Sequence, residues 1–309
     1  MIYTVTLNPA LDKTVEIPNL TLDTVNRITE MRTDPGGKGI NVSKVIAKLG
    51  GTSKAFGLLG GESGRTIQSE LHQMGLSTSF RFLPGQTRTN LKIVDPVRHT
   101  NTDLNEPGME VCEQDLSLLL HDLLSDLHPG DIVVLAGSLP AGAPRDTYKT
   151  WVSACRSAGA KVFLDADGDL LSEGLKGVPT LIKPNNDELS RLVGRKLETA
   201  AELADAAKGL LETGVARVVV SMGGRGALYL RNGSTLYAEG LQVPVGSTVG
   251  AGDSVVAALA FAEDTGLSEE EAVVLSTATG AANVMCSGTQ AAERAQVEAL
   301  MPRVVFHPL

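Results

Sequence analysis

An α/β fold, with a mostly parallel central sheet and helices on both faces, is predicted by three features of the 309-residue sequence. Short β-rich runs alternate with amphipathic stretches from end to end. The runs are apolar along their length, as strands covered on both faces are. Hydrophobic residues make up 42% of the chain against 20% charged, the composition of a globular protein with a large core and neither a disordered chain nor a coiled coil. At roughly 150 residues per domain the length allows two domains, but alternating α/β chains of this size often fold as one unit. No low-complexity linker, long charge block or repeat divides it.

Strands are expected at 2–7 (IYTVTL), 54–59 (KAFGLL), 131–137 (DIVVLAG), 161–166 (KVFLDA), 180–183 (TLIK) and 217–221 (RVVVS). Amphipathic patterning places helices at about 41–49, 64–74, 114–126, 145–158, 186–193, 199–213, 253–264 and 269–286. Most of them stop at a glycine, as at Gly75, Gly159, Gly194 and Gly214, because glycine accepts the left-handed conformation that closes a helix. Segments 11–33 and 86–105 break the rhythm. They are polar, rich in Thr and Val, and alternate with period two, so each would bury one face only. A small sheet standing off the main body is expected there, able to close over a site or to pair with another chain.

Lys and Arg number 27 against 36 Asp and Glu, a formal charge of -9. That balance argues against a general nucleic-acid or membrane-surface binder, because phosphate backbones are held by basic surfaces. Any phosphate site must be a local basic pocket. The opening MIYTVTLNPALD lacks the cationic stretch, apolar run and cleavage site of a signal peptide, and no apolar run is long enough to span a bilayer. A cytoplasmic location with no membrane partner is expected. Cys112, Cys155 and Cys286 lie far apart, and His72, His99, His121, His128 and His307 never join them at metal spacing, so neither a disulfide framework nor a zinc site is supported.

The strongest local signal is STVGAGD at 247–253, followed by the apolar SVVAALAFAEDTG. Glycines at a helix N-terminus leave backbone N–H groups free where the dipole is positive, an anion hole suited to a phosphoryl group. Asp253 beside it is either a general base toward an attacking hydroxyl or a helix cap. DPGGKGINVSKVIAKLG at 34–50 sets Gly36, Gly37, Lys38 and Gly39 before a helix with Asn41 in its first turn. Small residues there would let a polyhydroxylated ligand approach the backbone while Lys38 and Asn41 hydrogen-bond it; otherwise the string is a glycine-rich turn with a solvated lysine. SMGGRGALYL at 221–230 is either a ligand-binding turn at the carboxyl edge of the sheet or a plain hairpin turn. In KPNNDEL at 183–189, Lys183, Asn185 and Glu188 suit a nucleotide phosphate and a hydrated magnesium ion. Alternatively, Asn185 caps a helix and Glu188 completes a capping box. GxxxxGK[ST] is absent and no GxGxxG follows a strand, which disfavours a P-loop and a dinucleotide-dependent dehydrogenase.

Taken together on one alternating chain, these four motifs resemble the ribokinase-like sugar kinase family that takes its name from the minor bacterial phosphofructokinase. GGKGIN near residue 40 and STVGAGD near residue 250 look like its two signature segments, and the resemblance runs from TLNPALD (6–12) to the helix after Thr289. TLNPALD, TRTNLK (87–92), AGSLP (136–140) and KPNNDEL look most like 1-phosphofructokinases and tagatose-6-phosphate kinases. The resemblance implies one domain over 1–309, a three-layer sandwich whose small β-sheet lid is formed by about 11–33 and 86–105. It implies Asp253 as the base, with Gly250, Ala251 and Gly252 lining the anion hole. Asp12, Gly37, Lys38 and Asn41 would contact the sugar, with Arg88 and Asn90 from the lid and Ser138 from the loop after 131–137. Arg27 and Arg88 are the candidates for the phosphate already on the substrate, since a guanidinium fork suits a phosphate. Lys183, Asn185, Ser221, Gly223, Gly226 and Thr248 would face the nucleotide, with Glu188 on magnesium. Within ATGAANVMCSG (278–288), where the family lines its adenine pocket, Asn283 and Cys286 are the candidates, although Cys286 equally fits a small core position.

The activity implied is ATP-dependent, Mg2+-assisted phosphorylation of a furanose phosphate, fructose 1-phosphate first, then tagatose 6-phosphate and fructose 6-phosphate. Lys38 occurs also in members that take unphosphorylated sugars, so a kinase for ribose-like sugars or nucleosides stays open. A catalytically silent sugar-phosphate-binding regulator is the alternative of a different class; the intact GAGD segment speaks against it. A homodimer through the lid is expected, as the family commonly shows. An aspartate at a helix N-terminus should have a depressed pKa, so Asp253 is expected to be ionised near neutral pH.

Overall fold

Apolar runs become strands and glycine-punctuated amphipathic runs become helices in the computed structural model, which describes residues 1–286 and 288–309. In chain order the first half comprises β1 (Ile2–Thr6), β2 (Ala10–Glu16), β3 (Glu30–Gly36), α1 (Lys38–Lys48), β4 (Ser53–Leu59), α2 (Gly61–Gln73), β5 (Ser77–Phe82), β6 (Arg88–Asp95), β7 (Thr100–Asn105), α3 (Glu113–Asp126) and β8 (Ile132–Ala136). The second half comprises α4 (Thr147–Ser157), β9 (Lys161–Asp165), α5 (Gly168–Leu175), β10 (Leu181–Ile182), α6 (Asn186–Leu192), α7 (Ala200–Leu211), β11 (Arg217–Ser221), β12 (Gly226–Arg231), β13 (Ser234–Glu239), α8 (Ala251–Thr265), α9 (Glu269–Val284), α10 (Arg294–Leu300) and β14 (Phe306–Pro308). Gly75, Gly159 and Gly194, all at positive φ, close α2, α4 and α6. The amide after each reaches back five residues, as Leu76 N–H does to the Leu71 carbonyl, the hydrogen bond of a Schellman motif.

A ten-stranded sheet runs in the order β14-β13-β12-β11-β10-β9-β8-β1-β4-β5. Its pairings from β5 to β11 are parallel, while β12, β13 and β14 are antiparallel additions at one end. Every residue of β1 and β8 is buried, as strands covered on both faces require. One face is packed by α3, α4 and α7, through Leu119, Trp151 and Leu203 among others. The other is packed by α1, α8 and α9, through Ile46, Val256 and Leu275. The three-layer arrangement is thus present. β13 and β14 at the antiparallel end, β5 and α5 match no element expected from the sequence, whereas the β11–β12 turn is the hairpin alternative at 221–230.

The two polar segments form a separate four-stranded sheet, ordered β3-β2-β6-β7. β2 pairs antiparallel with β3 and parallel with β6, so that Ala10 stands beside Arg88 and Asp12 beside Asn90. β7 is exposed along its whole length. An apolar cluster of Ile40, Leu59, Ile67 and Leu71, with Leu11 packed against it, joins β2 to α1 and α2.

α1 is locked against the main sheet. Thr4 Oγ1 and Ser43 Oγ lie 2.7 Å apart, and Ser53 Oγ donates to Ser43 Oγ at 3.0 Å. Gly39 permits that contact: a Cβ there would stand 2.6 Å from the Val5 carbonyl oxygen and 2.5 Å from Thr6 Oγ1. Gly39→Ala should therefore push α1 off β1 and lower the unfolding free energy by about 1–3 kcal/mol, the usual cost of overpacking, read from the urea midpoint at unchanged slope.

Candidate active site

The carboxyl ends of the parallel strands converge on one edge, where open α/β sheets bind ligands. Asn8 follows β1, Ser138 follows β8, Asp165 ends β9, Lys183 follows β10 and Ser221 ends β11. The N-termini of α1 and α8 meet there, since Asn41 Nδ2 donates to Asp253 Oδ2 at 2.8 Å.

Asp253 is the third residue of α8. Its N-cap, Gly250, sits at φ 81° and ψ -6° and offers no side chain, so the N–H groups of Ala251, Gly252 and Asp253 precede the first intrahelical bond, Ser254 to the Gly250 carbonyl. These amides are therefore left without intrahelical partners, as glycines at a helix start imply. A Cβ on Gly252 would lie 3.1 Å from Lys183 Nζ, which places an ammonium beside the same amides. The carboxylate of Asp253 turns to Asn41, and the cap reading is not realised. Its pKa departs from expectation: burial pushes it up to about 6, reinforced by the Asp165 carboxylate and opposed by Lys38, Asn41 and Lys183. A carboxyl only 6% exposed loses more hydration than the helix dipole and nearby cations supply.

Asp165, absent from the sequence-derived candidates, holds the two lysines. Its Oδ1 lies 3.5 Å from Lys38 Nζ and 3.6 Å from Lys183 Nζ. Burial pushes its carboxyl up, yet Lys183 and Lys38 outweigh that and hold it below the ordinary range. Lys38, partly exposed, is raised in turn by Asp165 against its own burial. An acidic residue closing the apolar run VFLD was the available signal. Asn8 was also overlooked; its Nδ2 donates to the Pro107 carbonyl at 3.1 Å and to Ser138 Oγ at 3.3 Å, orienting the exposed Ser138.

The small sheet supplies Asp12, Arg88 and Asn90. Asn90 Nδ2 donates to Asp12 Oδ1 at 3.0 Å, and burial raises the Asp12 carboxyl. The Arg88 guanidinium donates to the Asn8 and Glu106 carbonyls. A cavity of about 180 Å3 between Asp12, Asn90 and Val249 sets this sheet opposite the loop before Gly250. Gly37, at φ 113°, turns the chain from β3 into α1. Arg27 stands apart: it is exposed on the β2–β3 connection, beyond Glu16 and Glu30. Glu16 is four residues up the strand from Asp12, about 13 Å at 3.3 Å per residue, so this chain does not bring Arg27 to the cavity.

On the remaining side the capping reading of KPNNDEL is realised. Asn185 caps α6, accepting from the Glu188 amide at 2.8 Å while Glu188 Oε2 accepts from the Asn185 amide; Asn185 also bridges Ser221. SMGGRG is a hairpin turn between β11 and β12, with Gly223 in a short 3-10 turn. A Cβ on Gly226 would strike the Ala238 carbonyl of β13, so strand pairing alone demands that glycine. Thr248 is exposed on the loop before α8. Asn283 is buried and donates to the Val249 carbonyl at 3.3 Å, bracing that loop. The half-buried Cys286 thiol lies 3.6 Å from the Ala282 carbonyl, and burial raises it. Ser287, within the segment expected to line an adenine pocket, lies outside the described residues.

The raised pKa of Asp253 has a consequence for stability. Its folded value exceeds the ordinary 3.8, so the stabilisation it carries is full below that value and is lost as pH rises through about 6. Asp253→Asn removes the charge whose burial is costly. Its melting temperature should exceed that of the unmodified protein at pH 8, with the gap narrowing at pH 5, as differential scanning calorimetry would record.

The chain is similar to known proteins along nearly its whole length. The model of the pfkB family carbohydrate kinases matches residues 5–296. The 1-phosphofructokinase of Rhodobacter capsulatus is 41% identical over 278 residues, 90% of this chain and 88% of that protein. That of Bacillus subtilis is 37% identical over 304 residues, 98% of each. Phosphofructokinase-2 from Escherichia coli in complex with substrates and products superposes with a TM-score of 0.93 at 32% identity over 98% of each chain. Ribokinase from Thermotoga maritima, with a TM-score of 0.79 at 23% identity over 98% of this chain and 99% of that one, shares the fold.

Proposed function

The chain belongs to the pfkB family of carbohydrate kinases, and from that premise we propose that it transfers the γ-phosphoryl group of ATP to fructose 1-phosphate, forming fructose 1,6-bisphosphate. The observation that carries this reading is a concentration of unmet polar atoms at one place. Of the six buried side-chain polar atoms without a partner among the described residues, four belong to Asn41, Arg88, Asn90 and Asp165. Such atoms are costly unless a ligand meets them. They surround the carboxylate and the anion hole that phosphoryl transfer requires.

In the reaction the acceptor hydroxyl oxygen bonds to the γ-phosphorus as the bond from that phosphorus to the bridging oxygen of ADP breaks. With Oδ2 engaged by Asn41, Asp253 Oδ1 is left to take the hydroxyl proton. Loose phosphoryl-transfer transition states leave the protein to position reactants and balance charge. The α8 amides and the Lys183 ammonium face that charge, and Asp165 keeps Lys183 and Lys38 in place. Arg88 receives the phosphate already on the sugar, and Asp12, Asn90, Lys38 and Asn41 its hydroxyls. The residues also fit a hydrated magnesium ion, which takes few direct carboxylates: Asp165 Oδ2 is buried without a partner and Glu188 Oε1 lies outside the capping box. When bound, that ion supplies positive charge to the phosphate oxygens.

The whole of 1–309 acts in this reading as one domain, with the small sheet as a lid that excludes water from the site. Leu22, Val25, Ile28, Met31 and Leu104 are exposed on that sheet and its connection, Leu22 and Val25 above 80%, an apolar surface of the kind that pairs with a second copy. A homodimer follows; a mass from light scattering that stays at one chain across concentrations would contradict it. No helix of the described residues is long and apolar enough to cross a membrane, in keeping with a cytoplasmic enzyme.

ADP release from MgATP with fructose 1-phosphate, tagatose 6-phosphate, fructose 6-phosphate and ribose, compared as kcat/KM, tests the assignment. Fructose 1-phosphate should exceed the others by orders of magnitude; rates no higher than the sugar-free blank would remove the kinase reading. Asp253→Asn should lower kcat by about 10²- to 10⁴-fold with little change in sugar KM. For the unmodified enzyme kcat/KM should fall as pH drops through about 6. Arg88→Ala should weaken sugar-phosphate binding by roughly 10- to 100-fold, the worth of a charged hydrogen bond, and leave ribose unaffected.

A further inference from the structure

Lys44 is a buried charged group in this region to which the mechanism above gives no part. It lies on α1, 8% exposed, and at i+3 from Asn41 it shares that residue's helix face. Among the described residues no carboxylate stands within ion-pair distance of Nζ. The ammonium instead donates to the Pro35 carbonyl at 2.8 Å and to the Thr289 carbonyl at 3.1 Å. A buried ammonium held only by carbonyls is costly, and its pKa is lowered by burial, with Asp34, Asp12 and Asp253 opposing.

The two carbonyls belong to opposite sides of the site. Pro35 pairs with Leu11, one step from the Asp12–Asp34 pair, and leads through Gly36 and Gly37 into Lys38. Thr289 lies in the loop after α9, where a Cβ on the neighbouring Gly288 would meet the Arg32 guanidinium of β3 and stand 3.5 Å from Thr14 Oγ1 of β2. The end of α9 in turn holds the anion-hole loop: the Val284 carbonyl accepts from the Gly246 and Ser247 amides, and Asn283 donates to the Val249 carbonyl. Hydrogen bonds thus reach from the sugar-contacting strands through Lys44 to Thr289, five residues along the chain from Val284, whose carbonyl holds the loop before Gly250.

We propose that Lys44 is a positioning residue that couples sugar-phosphate binding to nucleotide binding, by tying the Pro35 carbonyl at the end of β3 to the Thr289 carbonyl after α9. The inference rests on the kinase reading. Either ligand, by ordering its own side, orders the other through the ammonium, and linkage makes the effect reciprocal.

The test is titration of the full chain with fructose 1-phosphate, with and without a saturating non-hydrolysable ATP analogue and Mg2+. The ratio of the two dissociation constants should lie in the range of about 5 to 150 for the unmodified protein. It should fall to about 1 in Lys44→Met while each ligand still binds alone, and recover in part in Lys44→Arg, which keeps a buried cation. In turnover Lys44→Met should raise the sugar KM at saturating ATP more than it lowers kcat. A packing role would change stability and leave the ratio intact; an unchanged ratio in Lys44→Met, or a ratio of 1 in the unmodified protein, overturns the proposal. Failure of the unmodified protein to bind either ligand is a different result and removes the kinase reading itself. Should Lys44→Met not fold, hydrogen exchange on the unmodified chain decides: fructose 1-phosphate alone should slow amides at 288–291 and the nucleotide analogue alone those at 32–37, and absence of both effects overturns the coupling.

Discussion

Two carboxylates and the Lys183 ammonium are buried together at the carboxyl edge of the main sheet, with the partly exposed Lys38 beside them, and the placement of nearly everything else follows from keeping them there. Asp165 lies between Lys38 and Lys183, and Asp253 is held by Asn41 over the first amides of α8. Removing any one of these charges from water is expensive, and the remainder offset the cost only at short range. The charges need not balance locally at every point: Asp253 carries the residual strain as a raised pKa. A carboxyl poised near 6 is better matched to accepting a proton at neutral pH than one at its ordinary value. In the proposed reaction the electrostatic cost of burying Asp253 and its fitness as a base are therefore one property.

This arrangement also resolves how a chain of net charge -9 handles two phosphorylated ligands. The positive field is local, made from helix amides, two lysines and one arginine at the mouth of an acidic protein. The surrounding acidity discourages polyanions too large to enter.

Rigidity comes from α1, which is fixed to β1 and β4 through Thr4, Ser43 and Ser53 and to α8 by packing against small residues such as Ala257 and Ala260. One helix thereby sets the positions of Lys38, Asn41 and Lys44. The four-stranded sheet is held at its base by the Leu11 contact with the Ile40 cluster, while β7 is exposed. Firm at its root and lightly packed at its rim, such a sheet suits a cover that opens and closes.

Much of this was legible in the chain. Strand 217–221 matches β11 to the residue, the expected helices fall within about three residues of those found, and the two polar segments form the separate sheet. Apolar period and glycine stops are local properties, so local sequence carries them. The glycine-rich strings likewise announce free amides at helix starts, because a missing Cβ is visible without a fold. What the sequence could not determine was which distant residues meet. Asp165 reads as the end of a strand until the sheet order sets it between Lys38 and Lys183. Arg27 and Arg88 look equivalent until pairing leaves one beside Ala10 and the other past the end of the hairpin. The dipole of α8 argues for a depressed Asp253, and only burial against Asp165 reverses the sign. Backbone conformation is dictated by neighbours in sequence, whereas desolvation and charge pairing depend on neighbours in space, and those exist only once the chain has folded.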